Sequence, residues 1–133
     1  MAGTRIPLIY KRSVDISTEN FSVALESLIS SLAPRVKTYM MGDFNINLLD
    51  HNLSPPVEYF INQMISKNFL PTINRPTRLT PHSCTLIDNI FCNRVDEAES
   101  SGVITTNISD HYPVFAREKF PTLPEDSISI NYI

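Results

Sequence analysis

Lys37-Thr38-Tyr39-Met40-Met41-Gly42-Asp43-Phe44-Asn45 is the stretch on which the fold turns. Lys37 to Met41 has the length and apolar content of a short buried strand, and Gly42-Asp43-Phe44-Asn45 sets polar side chains at its carboxyl end. In α/β proteins that end is where sites are built, because the loops leaving neighbouring strands share one rim. Strand followed by site loop is therefore the predicted arrangement. A plain turn is the alternative, since Gly, Asp and Asn all tolerate turn dihedrals.

Upstream, Phe21, Ala24, Leu25, Leu28, Ile29 and Leu32 recur at the spacing of one helix face, with Ser17 or Thr18 as N-cap and Pro34 as the stop. Before it, Ile6-Pro7-Leu8-Ile9-Tyr10 reads as a short strand in which Pro7 is tolerable near an end or edge. Downstream, Ser54 can cap a helix from Pro55 to about Lys67, whose apolar face is Val57, Phe60, Ile61, Met64 and Ile65. Thr85 to Phe91 is apolar on both alternating faces apart from Asp88 and Asn89, as a central strand covered on both sides would be. Two more strands, Gly102–Thr106 and Tyr112–Arg117, flank a turn at Asn107–His111. Strands alternating with helices define an α/β fold. After Phe120 the pattern gives way to Pro121, Pro124, acids and serines, so residues 120–133 are expected to be a linker-like tail.

A chain of 133 residues makes one domain or a piece of one, which excludes a multidomain enzyme. With 42% hydrophobic and 19% charged residues it can bury a core, which excludes wholesale disorder. No apolar run approaches the roughly 20 residues that span a bilayer, and Met1–Ile9 lacks the features of a secretory signal. An intracellular location, nuclear or cytoplasmic, with no membrane partner, is the expectation. Cys84 and Cys92 match neither a zinc pair nor a disulfide framework, so reduced thiols are expected. The net charge of −3 argues against a generally basic nucleic-acid binder. From Met64 to Arg94, however, Lys67, Arg75, Arg78 and Arg94 face Asp88 alone, which allows a local basic strip.

Three loops set acidic or imidazole groups beside strands: Asp43 with Asn45, Asp88, and Ser109-Asp110-His111. The last could equally be a hairpin corner. Asp88 is harder to explain blandly, because a carboxylate in an apolar strand is costly to bury without a partner. His111 is the most economical one, held by the carboxylate in a single tautomer. Asp43 and Asp110 supply the hard oxygens that Mg²⁺ prefers. His51 and His82 sit in polar stretches and read as solvated loop residues.

Together, Met41-Gly42-Asp43-Phe44-Asn45-Ile46-Asn47-Leu48-Leu49, Arg75-Pro76-Thr77-Arg78, Thr85-Leu86-Ile87-Asp88-Asn89-Ile90-Phe91 and Ser109-Asp110-His111-Tyr112-Pro113-Val114 resemble the endonuclease/exonuclease/phosphatase superfamily in order and spacing. Within it, the likeness is to the apurinic-type endonuclease domain of LINE-type non-LTR retrotransposons. The resemblance implies that Asp43 orients or deprotonates the attacking water and that Asn45 and Tyr10 bind the phosphate. It further implies that His111 contacts the scissile phosphate and that Asp88 orients His111. Thr77, Ser109 and Arg78 fall where the family binds substrate, and Asp110 with Asp43 on the metal side. Lys11-Arg12 departs from the family's usual continuation after the tyrosine.

The family's domain is about twice as long, and its first half carries the principal metal-binding glutamate, which has no counterpart here. The resemblance thus implies half of a two-sheet α/β sandwich, with residues 1–119 as the C-terminal portion of the domain and the N-terminal half missing. The implied activity is Mg²⁺-dependent (or Mn²⁺-dependent) phosphodiester hydrolysis of DNA, impaired in this chain alone. The implied partners are the DNA backbone, an upstream half-domain and a downstream reverse transcriptase domain. Two alternatives stay open: a catalytically dead fragment that binds nucleic acid or protein, and a phosphatase or phospholipid hydrolase of the same superfamily.

Overall fold

The computed structural model describes residues 5–10, 17–95 and 98–118, with residues 9, 10, 98 and 99 described by backbone alone. The tail expected at 120–133 lies outside the described residues. In chain order the elements are β1 (Leu8–Tyr10), α1 (Thr18–Ser31), β2 (Tyr39–Asp43), α2 (Pro55–Ser66), β3 (Leu70–Pro71), β4 (Arg78–Thr80), β5 (Ser83–Thr85), β6 (Asp88–Cys92), β7 (Ala98–Val103) and β8 (Val114–Glu118). A four-stranded sheet runs in the order β1-β2-β6-β3, and β4-β5 and β7-β8 form two-stranded sheets. The α/β class is as expected.

β1 runs parallel to β2, with α1 between them in sequence as the crossover that parallel pairing needs, and β6 lies antiparallel on the other side of β2. The strand expected at 37–41 is displaced to 39–43. Gly42 and Asp43 read as loop residues, yet both are paired on two sides, with Ile9 and Asn89 and with Tyr10 and Asp88. Gly42 has φ 149°, which an L side chain rarely adopts, so glycine is required for the strand to continue to Asp43. The central strand expected at 85–91 begins only at Asp88, because Thr85 pairs with Arg78 in the β4-β5 hairpin instead. Asp88 therefore opens the strand rather than interrupting it. The last two strands are 98–103 and 114–118, separated by a longer loop than expected.

Both helices form where periodicity places them. Ser17 caps α1, its side chain accepting from the Asn20 amide at 3.2 Å. Ser54 occupies the N-cap of α2 without a side-chain bond, and Pro55 and Pro56 at the first two helical positions leave no amide donors unsatisfied there; the Ser54 carbonyl accepts from Val57 and Glu58. The buried stripe of α1 is Phe21, Ser22, Leu25 and Ile29, so Ala24 and Leu28 face outward, contrary to expectation. On the inward face buried Gln63 of α2 donates to the Ser22 carbonyl at 3.0 Å. Ile65 of α2 is likewise exposed.

The sheet is covered on both sides. Met40 and Phe91, opposite one another in register, join Phe21, Phe44 and Phe60 under the helices. Tyr39, Ile90 and Cys92 point the other way, against Val114 and Ala116 of β8. Here Tyr39 donates to Glu118, which also pairs with Lys37. Cys84 is exposed, Cys92 is buried, and both are free. Among the described residues no helix is long and apolar enough to cross a membrane.

Candidate active site

Asp43 ends β2 and Asp88 begins the antiparallel β6, and the two are register partners. Two carboxylates thus meet at one rim of the sheet. Tyr10 is the register partner of Asp43 on the opposite side, at the end of β1; its side chain lies outside what is described.

The loop after β2 is anchored by its middle residue. Phe44 is only 1% exposed and packs edge-on to Phe91 at 5.1 Å between ring centres, while its amide donates to the Ile87 carbonyl at 2.9 Å. With Phe44 inward, the flanking Asp43 and Asn45 stay at the rim. Asn45 has φ 47°, a left-handed conformation that Asn tolerates better than most residues, and its amide donates to Asp43 Oδ1 at 2.9 Å. Asn47 finishes the loop: its side-chain oxygen accepts from the Leu86 amide at 2.9 Å, and its Nδ2 donates to Asp50 at 2.9 Å. Asn47 lay within the quoted motif, and its place before a short 3-10 turn at Leu48–Asp50 is the signal for this capping role.

His111 reaches the same rim through β4. The Leu79 amide donates to the Asp110 carbonyl at 3.0 Å and the Tyr112 amide to the Thr77 carbonyl at 2.7 Å, so residues 110–112 dock beside β4, where Arg78 and His111 form an isolated bridge. The ring's Nδ1 then lies 3.0 Å from Asp88 Oδ2 and 3.2 Å from Oδ1. With Nδ1 committed to Asp88, Nε2 is the nitrogen left for a substrate.

Asp88 is itself positioned. The Thr77 hydroxyl donates to Asp88 Oδ2 at 2.8 Å and accepts from the amides of Asp88 and Ile87 at 3.0 and 3.2 Å. Thr77 was expected to line a substrate groove. It is completely buried, so it orients the carboxylate instead. Ser109 is exposed, and its hydroxyl accepts from the His111 amide at 3.2 Å, fixing the turn that delivers the ring.

One ligand atom each from Asp43, Asp88 and His111 lie within 4.8 Å of one another. Burial holds the Asp43 carboxyl above the ordinary aspartate value; the Asn45 amide works against this, the charge of Asp88 adds to it, and His111 and Arg78 oppose it. Asp110 stands apart from the group. Its Oδ2 accepts from Arg78 Nε at 2.8 Å, and that bond holds its carboxyl below the usual range. The donor set therefore fits a hard divalent cation in part. Asp43 offers an oxygen, whereas Asp88 is engaged by Thr77 and His111, and Asp110 by Arg78.

Solved structures share this arrangement of strands and helices. An endonuclease/exonuclease/phosphatase family protein from Leptotrichia buccalis matches with a TM-score of 0.57 and 17% identity, over 76% of this chain and 42% of that one. A functionally unknown conserved protein from Enterococcus faecalis matches with a TM-score of 0.59 and 17% identity, over 84% of this chain and 48% of that one. The likeness is one of fold. This chain spans less than half the length of either protein. No protein-family model and no curated protein matches the sequence.

Proposed function

We propose that this rim is the phosphate-ester-hydrolysing centre of a nuclease of LINE-type retrotransposon origin, acting on the phosphodiester backbone of DNA. One observation carries the reading: Asp88 engages His111 through Nδ1 while Asp43 stands beside it in register. Asp43, an acceptor at the open rim, positions a water for in-line attack and takes its proton. Asn45 and Tyr10 hold the phosphate, and His111 presents Nε2 to the oxygen on which charge develops. Asp88 keeps the ring in one tautomer throughout, so its removal would scatter the geometry even with the imidazole present.

Mg²⁺ or Mn²⁺ is the cofactor in this reading, with Asp43 as the described carboxylate suited to hold it, and the cation would supply Lewis-acid charge at the phosphoryl group. Arg75-Pro76-Thr77-Arg78 ahead of the Asp88 strand supports the retroelement branch over a phosphatase or phospholipid hydrolase. In that branch an upstream half-domain and a downstream reverse transcriptase domain are partners.

A second reading, a binding fragment without catalysis, is favoured by the donor set, in which Asp88 is engaged by Thr77 and His111 and Asp110 by Arg78. Nicking of supercoiled DNA separates the two. The isolated chain is expected to nick weakly or not at all with Mg²⁺, and fusing the preceding half-domain of a related element before Met1 is expected to restore nicking that Asp43→Ala or His111→Ala abolishes. A fusion that folds yet never nicks supports the binding fragment. Nicking unaffected by either substitution removes the assignment of the site.

A further inference from the structure

Arg78 opens β4 and bridges His111 across the pair that brings the imidazole to the rim. Its charge reaches Asp43, on which it acts to favour the ionised form. Its side chain is tethered through Nε, which donates to Asp110 Oδ2 at 2.8 Å. A guanidinium bound through Nε keeps both terminal amino groups as donors, in a planar fork that matches two oxygens of a phosphate. The pair is 40% and 45% exposed, open to a ligand from solvent.

Charge at the rim gives the fork a use. Asp43 and Asp88 face one another in register, and an approaching phosphate is repelled by both. Arginine suits this place better than lysine, because it stays charged and its fork is fixed once Nε is held. An exposed ion pair contributes little to stability by itself, so the bond between Asp110 and Arg78 matters chiefly for where it aims the guanidinium.

Arg78 falls where the resemblance implies substrate binding; we propose that Asp110 is its positioning residue rather than a free metal ligand, holding the guanidinium through Nε so that the terminal amino groups grip a backbone phosphate of DNA. The identity of the ligand rests on the phosphodiesterase reading; the anchor that Arg78 forms does not require hydrolysis.

The test is equilibrium binding of a short fluorescein-labelled DNA duplex by anisotropy, in EDTA, with the full chain. Arg78→Ala is expected to weaken binding about tenfold and to make the dependence on salt shallower by about one released counterion. Arg78→Lys should keep the salt dependence and lose part of the affinity. Asp110→Asn should weaken binding severalfold in the wild-type background and add nothing to Arg78→Ala, the signature of a residue acting through another. Circular dichroism checks that each variant folds. No binding by the wild-type chain, or Arg78→Ala binding as well as wild type, overturns the anchor. Asp110→Asn binding equally or more tightly, as expected if it only repelled DNA, overturns the positioning role. EDTA suppresses hydrolysis, so failure of the nuclease reading leaves these outcomes intact, and failure of the anchor leaves nicking by the fused protein intact.

Discussion

Replacing Thr77 by Val tests whether the hydroxyl beneath the site organises it. The volume is kept, and the buried oxygen is lost. In the structure that oxygen donates to a carboxylate and accepts from two backbone amides. A hydrogen bond to a charged group is worth about 1.5–3 kcal/mol, and a buried amide left without an acceptor costs about 1–3 kcal/mol. The two amides share one oxygen, so their losses do not simply add, and the expected destabilisation is about 3–5 kcal/mol. That is a large part of the roughly 7–20 kcal/mol available to a chain of this size. Thr77→Ser is the control: it keeps the oxygen and removes one buried methyl, about 1 kcal/mol. Urea unfolding followed by circular dichroism gives both values by linear extrapolation. The Val variant should exceed the Ser variant by about 2–4 kcal/mol. Equal losses would mean that the methyl, and not the hydroxyl, holds Thr77 in place, and the account of Asp88 positioning would fall.

Asp43→Asn should raise the thermal midpoint at neutral pH while abolishing nicking in the fused protein. The folded carboxyl titrates above its unfolded value, so its contribution is fully present below the ordinary aspartate value and lost as pH rises through the raised one; a gain that does not shrink on acidification refutes this. Glu118→Ala should cost on the order of 3 kcal/mol in urea, because it removes a carboxylate that Lys37 and Tyr39, both largely buried, share. Burial, then the bond to Glu118, raises the Tyr39 phenol above the tyrosine range, so its stabilisation is present below the ordinary tyrosine value and lost as pH rises past it. Ultraviolet titration should find Tyr39 ionising only as the chain unfolds, and early ionisation of all five tyrosines would contradict this. Phe44→Ala should cost about 3–5 kcal/mol and loosen the loop bearing Asp43; a loss below about 1 kcal/mol would show that the ring is not the anchor.

The helices were legible because Phe21, Leu25 and Ile29, and Val57, Phe60 and Met64, repeat at helical spacing. β3, β4 and β5 were not, since strands of two or three residues are too short to show a period of two. Gly42 and Asp43 misled by residue type, as pairing on both sides overrode their preference for turns. At the site, the partnership of Asp88 with His111 could be inferred from the misfit of one carboxylate in an apolar run. The depth of Thr77 could not, because hydroxyls serve as well in a groove as beneath it. Nor could the tether of Arg78 to Asp110, which exists because residues 110–112 lie alongside β4, a tertiary contact between distant segments with no local signal.

The strand order has a consequence for synthesis on the ribosome. β3 emerges before β6, yet in the finished sheet β6 lies between β2 and β3. The sheet cannot grow outward from one edge as the chain appears. β2 must wait with an open hydrogen-bonding edge until Asp88–Cys92 has been made and slots in, and only afterwards can His111 arrive. Non-local pairing of this kind is slow and leaves strand edges open to other chains. Nascent chains stalled before Asp88 should therefore be the species most in need of a chaperone, and those stalled between Cys92 and His111 should hold a sheet with two carboxylates and no imidazole.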